Sequence, residues 1–145
     1  MTDTDAPGAT RSGKRIPIVS YLVLDDGAGE AHLEAQSCAA CGALYFDRRN
    51  ACARCGKTAF DRKALAGTGV LRSFTIIHRA APGVPVPYVS GVVELDGGGV
   101  VKANLLDAGT DPEKIELNMR LRLTTFDAGT DVEGTEAVAF GFAPA

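Results

Sequence analysis

Cys38-Ala39-Ala40-Cys41-Gly42 and, ten residues further on, Cys52-Ala53-Arg54-Cys55-Gly56 hold every cysteine of this 145-residue chain. In each C-x-x-C-G turn two sulfurs converge, and the glycine frees the backbone just after the second one. Four thiolates from two such turns make a tetrahedral sulfur site, which zinc fills well because it has no geometric or redox demand of its own. The gap is shorter than the roughly 15–20 residues common between zinc-binding pairs, which predicts a compact ribbon. Two disulfides are the alternative, but no secretory signal is legible, and paired C-x-x-C turns with trailing glycines are metal geometry. A site closed by Cys38, Cys41, Cys52 and Cys55 leaves no coordination position open, so its metal is expected to be structural. Iron is chemically permitted in the same ligand set and would make a rubredoxin-like electron carrier. The short spacing and the large domain attached favour zinc.

The length suits a small metal module joined to one ordinary core. Residues 1–15 are rich in Thr, Asp, Gly and Ser and cannot bury enough surface to offset their ordering entropy, so they are expected to form a disordered tail. Residues 16–66 are read as an N-terminal segment and the ribbon, and residues 67–145 as a second domain. The chain shows no transit-peptide pattern and no apolar run near the 18 residues of a membrane span, so a cytoplasmic protein without membrane contact is expected.

Net charge is −3, unevenly spread. Asp47 to Lys63 holds six basic and two acidic residues, a local +4, which leaves −7 for the rest. Residues 127–145 contain four acidic residues and no basic one. The basic stretch is either a solvated face or a surface for phosphates or an acidic partner.

Ile16 to Leu24 is apolar and rich in β-branched residues, which predicts a strand or an extended docking segment. Asp25 to Gly29 reads as a turn. Residues 31–37 and 43–47 flank the first cysteine turn and are expected to pair as a hairpin, with 58–64 extended after the second. Gly67-Thr68-Gly69 reads as a break. Beyond it the pattern is all-β: a long strand over 70–79, a stiff proline loop, strands at 88–95 and 100–106 around Asp96-Gly97-Gly98-Gly99, then strands centred on Leu121 and Phe140. Asp111-Pro112 has an N-cap with proline at the first helical position, which predicts a helix of one or two turns. Five strands with one short helix between the third and fourth are the order of a five-stranded OB-fold barrel, so the fold class is mostly β: a rubredoxin-like zinc ribbon followed by an OB-fold. The pentapeptide Asp-Ala-Gly-Thr-Asp occurs at 107–111 and 127–131, both expected in loops.

No catalytic set emerges. His78 has no recognisable nucleophile near it, since G-x-S-x-G and any free cysteine are missing. His32 precedes the first cysteine turn, but four sulfurs already satisfy a metal. Gly67-x-Gly69 lacks the third glycine and the following helix of a dinucleotide fingerprint. OB-folds usually bind across strands 2 and 3 with help from two loops, here 80–87 and 127–134. Val84, Pro85 and Val86 on the first loop look like a docking element for a protein or an acyl chain. The acidic second loop and the few aromatics, with no Trp, argue against a single-stranded nucleic acid, the alternative partner for a ribbon and an OB barrel.

The two C-x-x-C-G turns, the Phe46-Asp47-Arg48-Arg49 step between them, Gly67-Thr68-Gly69 with Ser73 and Thr75, and Pro87 before the next strand carry a resemblance over Leu33 to Phe142. The chain resembles the zinc-ribbon/OB-fold accessory proteins, long called a domain of unknown function, that accompany thiolases, hydroxymethylglutaryl-CoA synthases and thiolase-like aldolases. It departs from that pattern at Asp47 and Arg48, where prolines are usual, and at Asn118, where Asn118-Met119-Arg120-Leu121 replaces a glycine-led step. An apolar extended segment also stands where helices usually precede the first cysteine. The resemblance implies a non-catalytic subunit in a hetero-oligomer, with the thiolase-fold or aldolase partner supplying the reacting residues and an acyl-CoA as shared ligand, in lipid or aromatic degradation. For CoA phosphates the residues implied are Arg48, Arg49, Arg79 and Lys102.

Overall fold

A computed structural model describes residues 15–24 and 31–145. The strands in chain order are β1 (Arg15–Pro17), β2 (Leu22–Val23), β3 (His32–Cys38), β4 (Leu44–Tyr45), β5 (Phe60–Ala64), β6 (Thr68–Ile77), β7 (Tyr88–Leu95), β8 (Val100–Leu105), β9 (Arg120–Thr130) and β10 (Glu136–Pro144). The tail expected over residues 1–15 and the turn at 25–29 lie outside the described residues, apart from Arg15, which opens β1.

β3 carries the ribbon. It pairs antiparallel with β2, with β4 and, over Glu34 to Cys38, with β5. The second sheet runs β1-β10-β8-β7-β6-β9, and β9 returns to pair with β10, so β6 to β10 close into a five-stranded barrel. Closure between β8 and β10 is parallel at Phe142 and Leu105 and is reinforced by the Leu106 amide donating to Phe142 O at 2.7 Å. Closure ties together the edges that an open sheet of β6 to β10 would present, and leaves the short β1 as an outer edge.

β7 alternates without a fault: Val89, Gly91, Val93 and Leu95 face inward, with Tyr88, Ser90, Val92 and Glu94 outward. Leu71, Val93, Leu121, Val138 and Phe142 are fully buried in the barrel. Leu22, Leu33, Ala35 and Leu65, from the ribbon and the segment leaving it, belong to the same buried cluster. Ribbon and barrel therefore share one core, as burial of a small metal module's apolar side requires.

Several sequence expectations need correction. The predicted strand over 16–24 divides into β1 and β2, because a bend at Ser20-Tyr21 moves the chain from the barrel edge to the ribbon. Thr68 and Gly69 do not break the chain but begin β6, which ends at Ile77, leaving His78 and Arg79 in the following loop. The predicted helix is a single 3-10 turn, Pro112–Lys114, with Asp111 Oδ1 accepting from the Glu113 amide at 2.9 Å. Buried Ile115 returns to extended backbone and ends the turn. The second Asp-Ala-Gly-Thr-Asp copy is not a loop: Asp127 to Thr130 continue β9 opposite Glu136 to Val138. The first copy is a loop, with Asp107 at φ 59 and Gly109 at φ 74. Tertiary pairing separates two identical pentapeptides.

Candidate metal centre and the surfaces around it

The two cysteine turns are built alike. Gly42 N–H donates to Cys38 O at 2.9 Å and Cys38 N–H to Ala43 O at 2.9 Å. Gly56 N–H donates to Cys52 O at 2.8 Å and Cys52 N–H to Lys57 O at 2.8 Å. Each turn closes only because its glycine adopts a positive φ, 80° at Gly42 and 82° at Gly56, where a side chain would be strained.

The four sulfurs lie within 4.8 Å of one another. Cys38 Sγ is 3.5 Å from Cys55 Sγ, and Cys41 Sγ is 3.6 Å from Cys52 Sγ. A tetrahedron of sulfurs at about 2.3 Å from a zinc ion has edges of about 3.8 Å, so the donor set fits such a cation in number, type and size. Cys38 and Cys52 are buried, Cys41 half-buried and Cys55 exposed. His32 stands apart, with Nε2 3.3 Å from Glu34 Oε2.

The surroundings are charge-tuned. Tyr45 reaches Cys52 with its hydroxyl 3.5 Å from Sγ, and the Arg54 amide donates to the same sulfur at 3.3 Å. With the hydroxyl as the larger influence, the Cys52 thiol is held down to about 6. Cys38 is lowered too, by the amides of Cys41 and Ala40. At Cys55 the Lys57 amide favours the thiolate, but desolvation and the three other sulfurs outweigh it and push the thiol up to about 11. Sulfurs that compete for protons in this way are relieved together by one divalent cation, which also displaces those protons.

The basic residues named for CoA divide between two regions. Arg49 sits with its guanidinium carbon 4.4 Å from the centre of the Tyr45 ring and donates to Ala51 O at 3.2 Å. Arg48 donates to Asn50 Oδ1 at 3.0 Å. Both therefore flank the cysteine turns, and Arg49 also braces the tyrosine that touches Cys52. Lys102 lies on β8, on the outer barrel wall, in a shallow pocket of about 300 Å³ with Ser73, Thr75, Ser90 and Val92. Arg79 is exposed at the start of the β6–β7 loop. Val84 and Val86 on that loop are 44% and 42% exposed, Pro85 is exposed between them, and the Val86–Pro87 peptide is cis.

Three groupings were missed in the sequence. Tyr45 was one, although its place between the cysteine turns is a signal. The second is Asp96, which accepts from Thr68 Oγ1 at 2.6 Å and from both Arg120 Nη atoms at 3.0 and 2.6 Å. The third joins Arg72 to Glu94 and to Asn118 Oδ1. Only the fold brings residues 22 to 46 positions apart together there, so no local pattern could have shown them.

Comparison with known proteins matches both halves. The profile of the ChsH2 rubredoxin-like zinc ribbon domain matches residues 25–61, and that of the ChsH2 C-terminal OB-fold domain matches residues 62–126. A chain of a solved structure, the Ltp2-ChsH2(DUF35) aldolase, is 34% identical with a TM-score of 0.63, over 78% of this chain and 84% of that one. A probable enoyl-CoA hydratase alpha subunit of Thermomonospora curvata is 33% identical over 108 residues, 74% of this chain and 33% of that protein. The chain thus spans about a third of the length of that curated relative.

Proposed function

The chain belongs to the ChsH2 family of zinc-ribbon and OB-fold proteins, and from that premise we propose that it is a non-catalytic accessory subunit of a thiolase-type or thiolase-like aldolase enzyme. The partner acts on acyl-CoA thioesters, and this chain stabilises it and helps to form the acyl-CoA site. The observation that carries the reading is the match over 84% of a chain in an aldolase assembly. The sequence is consistent with a supporting role: every cysteine sits in the clustered turns, and no G-x-S-x-G is present.

Within this reading the four cysteines hold structural Zn²⁺, which supplies folding energy and no open position for a substrate. The chain's own contribution is placement. The ribbon presents Arg48 and the stacked Arg49 as fixed cations for CoA phosphates. Lys102, beside the hydroxyls of Ser73, Thr75 and Ser90, offers a further phosphate contact on the barrel wall. Val84, Pro85 and Val86 dock against the partner or its acyl chain. A second reading, in which the partner is a hydratase, is favoured by the Thermomonospora curvata relative, whose name is that of an enoyl-CoA hydratase alpha subunit.

Affinity purification of the full chain from its native host, with mass spectrometry of the retained proteins, tests this. A thiolase-fold, aldolase or hydratase protein in near-equal amount, whose turnover or solubility falls without the chain, is the expected result. Nucleic acid, a redox enzyme or no partner would overturn it.

A further inference from the structure

β1 lies parallel to β10 with Ile16 opposite Ala137, and on β9 Phe126 lies opposite Ala139. Side chains alternate across a strand and cross-strand partners share a face, so Ile16, Ala137, Ala139 and Phe126 project from one side of the sheet, although Ala139 is itself buried at 4% exposure and adds nothing to the open surface. Ile18 extends that row, its amide donating to Val138 O at 2.9 Å. The opposite side is core, where Val138 is fully buried. On the outer side Ile16, Ile18 and Phe126 are 50%, 53% and 39% exposed. A groove of about 340 Å³ runs beside Ile16, along Ala128, Thr130, Asp131, Thr135 and Ala137.

Above the groove the β9–β10 hairpin is stiff. Asp131 Oδ1 accepts from the amides of Glu133 and Thr135 at 2.8 and 2.9 Å, and the Asp131 amide donates to Thr135 O at 3.0 Å. Val132 stands wholly exposed at the tip. Single apolar side chains scattered on a surface need no explanation, but three along one end of one sheet with a fourth at its hairpin tip form a patch.

Charge identifies what covers it. Asp131 lines the groove and Glu133 adjoins Val132, while no lysine or arginine occurs between 127 and 145 and Arg15 at the start of β1 is already held by Glu136 at 3.8 Å. A second copy placed face to face would bring a hairpin that carries carboxylates and no lysine or arginine of its own, which gives poor charge complementarity for an isologous dimer. Strand addition to the open edge of β1 is disfavoured too. The Ile18 amide turns toward β10, so the neighbouring outward position is Pro17, which has no N–H.

We propose that the outer face of the β1–β10–β9 corner, with the Val132 tip, docks a partner subunit presenting apolar side chains bordered by lysine or arginine. This rests on the accessory-subunit reading and adds to it where, and to what chemistry, the chain attaches. The test is the affinity of the full chain for the enzyme subunit recovered from the native host, with variants whose zinc content and melting temperature match wild type. Ile16→Ser/Val132→Ser and, separately, Glu133→Lys are each expected to raise Kd by about tenfold or more. Wild-type affinity is expected to fall as salt rises. A stable wild-type complex with both variants binding within about twofold of it would overturn the surface while leaving the accessory reading intact. Failure of any thiolase-fold, aldolase or hydratase protein to bind wild type would overturn both. A wild-type homodimer broken by Ile18→Ser would assign the face to a second copy and overturn the proposal.

Discussion

The hydroxyl of Tyr45 lies 3.5 Å from Cys52 Sγ while accepting the Ala53 amide at 3.0 Å, so one side chain ties a cysteine sulfur to the turn that carries it. Groups that hydrogen-bond metal ligands typically change metal affinity by about 10–100-fold when removed. Tyr45→Phe keeps the ring under Arg49 and across from Phe60 and removes only the hydroxyl. Zinc affinity, measured by competition with a chromophoric chelator, is expected to drop about tenfold with the fold retained. Unchanged affinity would show that the tyrosine is only packing.

Removing a ligand is a larger change. Cys38 ends β3, which pairs with β2, β4 and β5, and is buried at 2% exposure. Cys38→Ser is expected to release zinc and unfold the ribbon, because metal binding and folding of such modules are one equilibrium. Metal analysis and thermal melting check this. Wild-type zinc stoichiometry and melting temperature in the variant would refute it, and a red protein carrying iron would refute the choice of metal.

Acid stability should carry the signature of Asp96. The guanidinium of Arg120, helped by the Thr68 hydroxyl, holds its carboxyl at about 2, against an ordinary 3.8. A carboxylate depressed in the folded state contributes stability that is complete above its unfolded pKa and lost as pH falls through the folded value. The window is therefore between about pH 4 and pH 2. Both partners are about half exposed, so screening keeps the effect small. Denaturant midpoints of wild type and Asp96→Asn are expected to fall in parallel down to about pH 4 and to converge below it. Parallel curves to pH 2 would remove this network from the account.

The two glycines of the Gly67-Thr68-Gly69 step differ in what an added methyl would meet. At Gly67 the nearest atom is Leu123 Cβ at 3.9 Å, ordinary contact. At Gly69 it would strike the Glu94 carbonyl oxygen and come within 3.0 Å of Leu95 Cα, backbone that the β6–β7 ladder holds in place. Gly69→Ala is expected to cost about 1–3 kcal/mol or more, and Gly67→Ala under about 0.5 kcal/mol. Equal losses in denaturant titration would contradict the packing argument.

Asn118 stands where the resembling pattern has glycine, and its φ of 71° shows why either residue serves. Asparagine tolerates the left-handed region, and here its side chain also accepts from Arg72 at 2.8 Å. Asn118→Ala is expected to lose about 1–2 kcal/mol, and Asn118→Gly less. A smaller loss for alanine than for glycine would show that the backbone conformation is not what selects the residue.

Legibility followed the range of the interactions. The cysteine turns were readable because ligand, spacing and glycine all lie within five residues. β7 was readable end to end because its burial alternates perfectly, and Asp96 to Gly99 because a glycine run between two apolar strands leaves little but a hairpin. β9 was misread beyond Phe126: Asp127-Ala128-Gly129-Thr130 has no strand propensity of its own and is extended because β10 pairs with it. The turn at Pro112 was overread, since a good N-cap starts a helix but buried Ile115 stops this one.

By itself, then, the sequence determined the ribbon, the closed sulfur site and the run of five barrel strands, because each depends on local spacing, side-chain period and backbone freedom. Tertiary structure decided the rest. It placed β1 against β10, joined Arg72 to Asn118 and Arg120 to Asp96, stacked Arg49 on the tyrosine that touches Cys52, and left Ile16, Ile18 and Phe126 together on an outer face. Apart from the Arg49–Tyr45 stack, which the local path of the ribbon sets, those relationships join positions distant in the chain, and only the pairing of the barrel strands brings them within reach of one another.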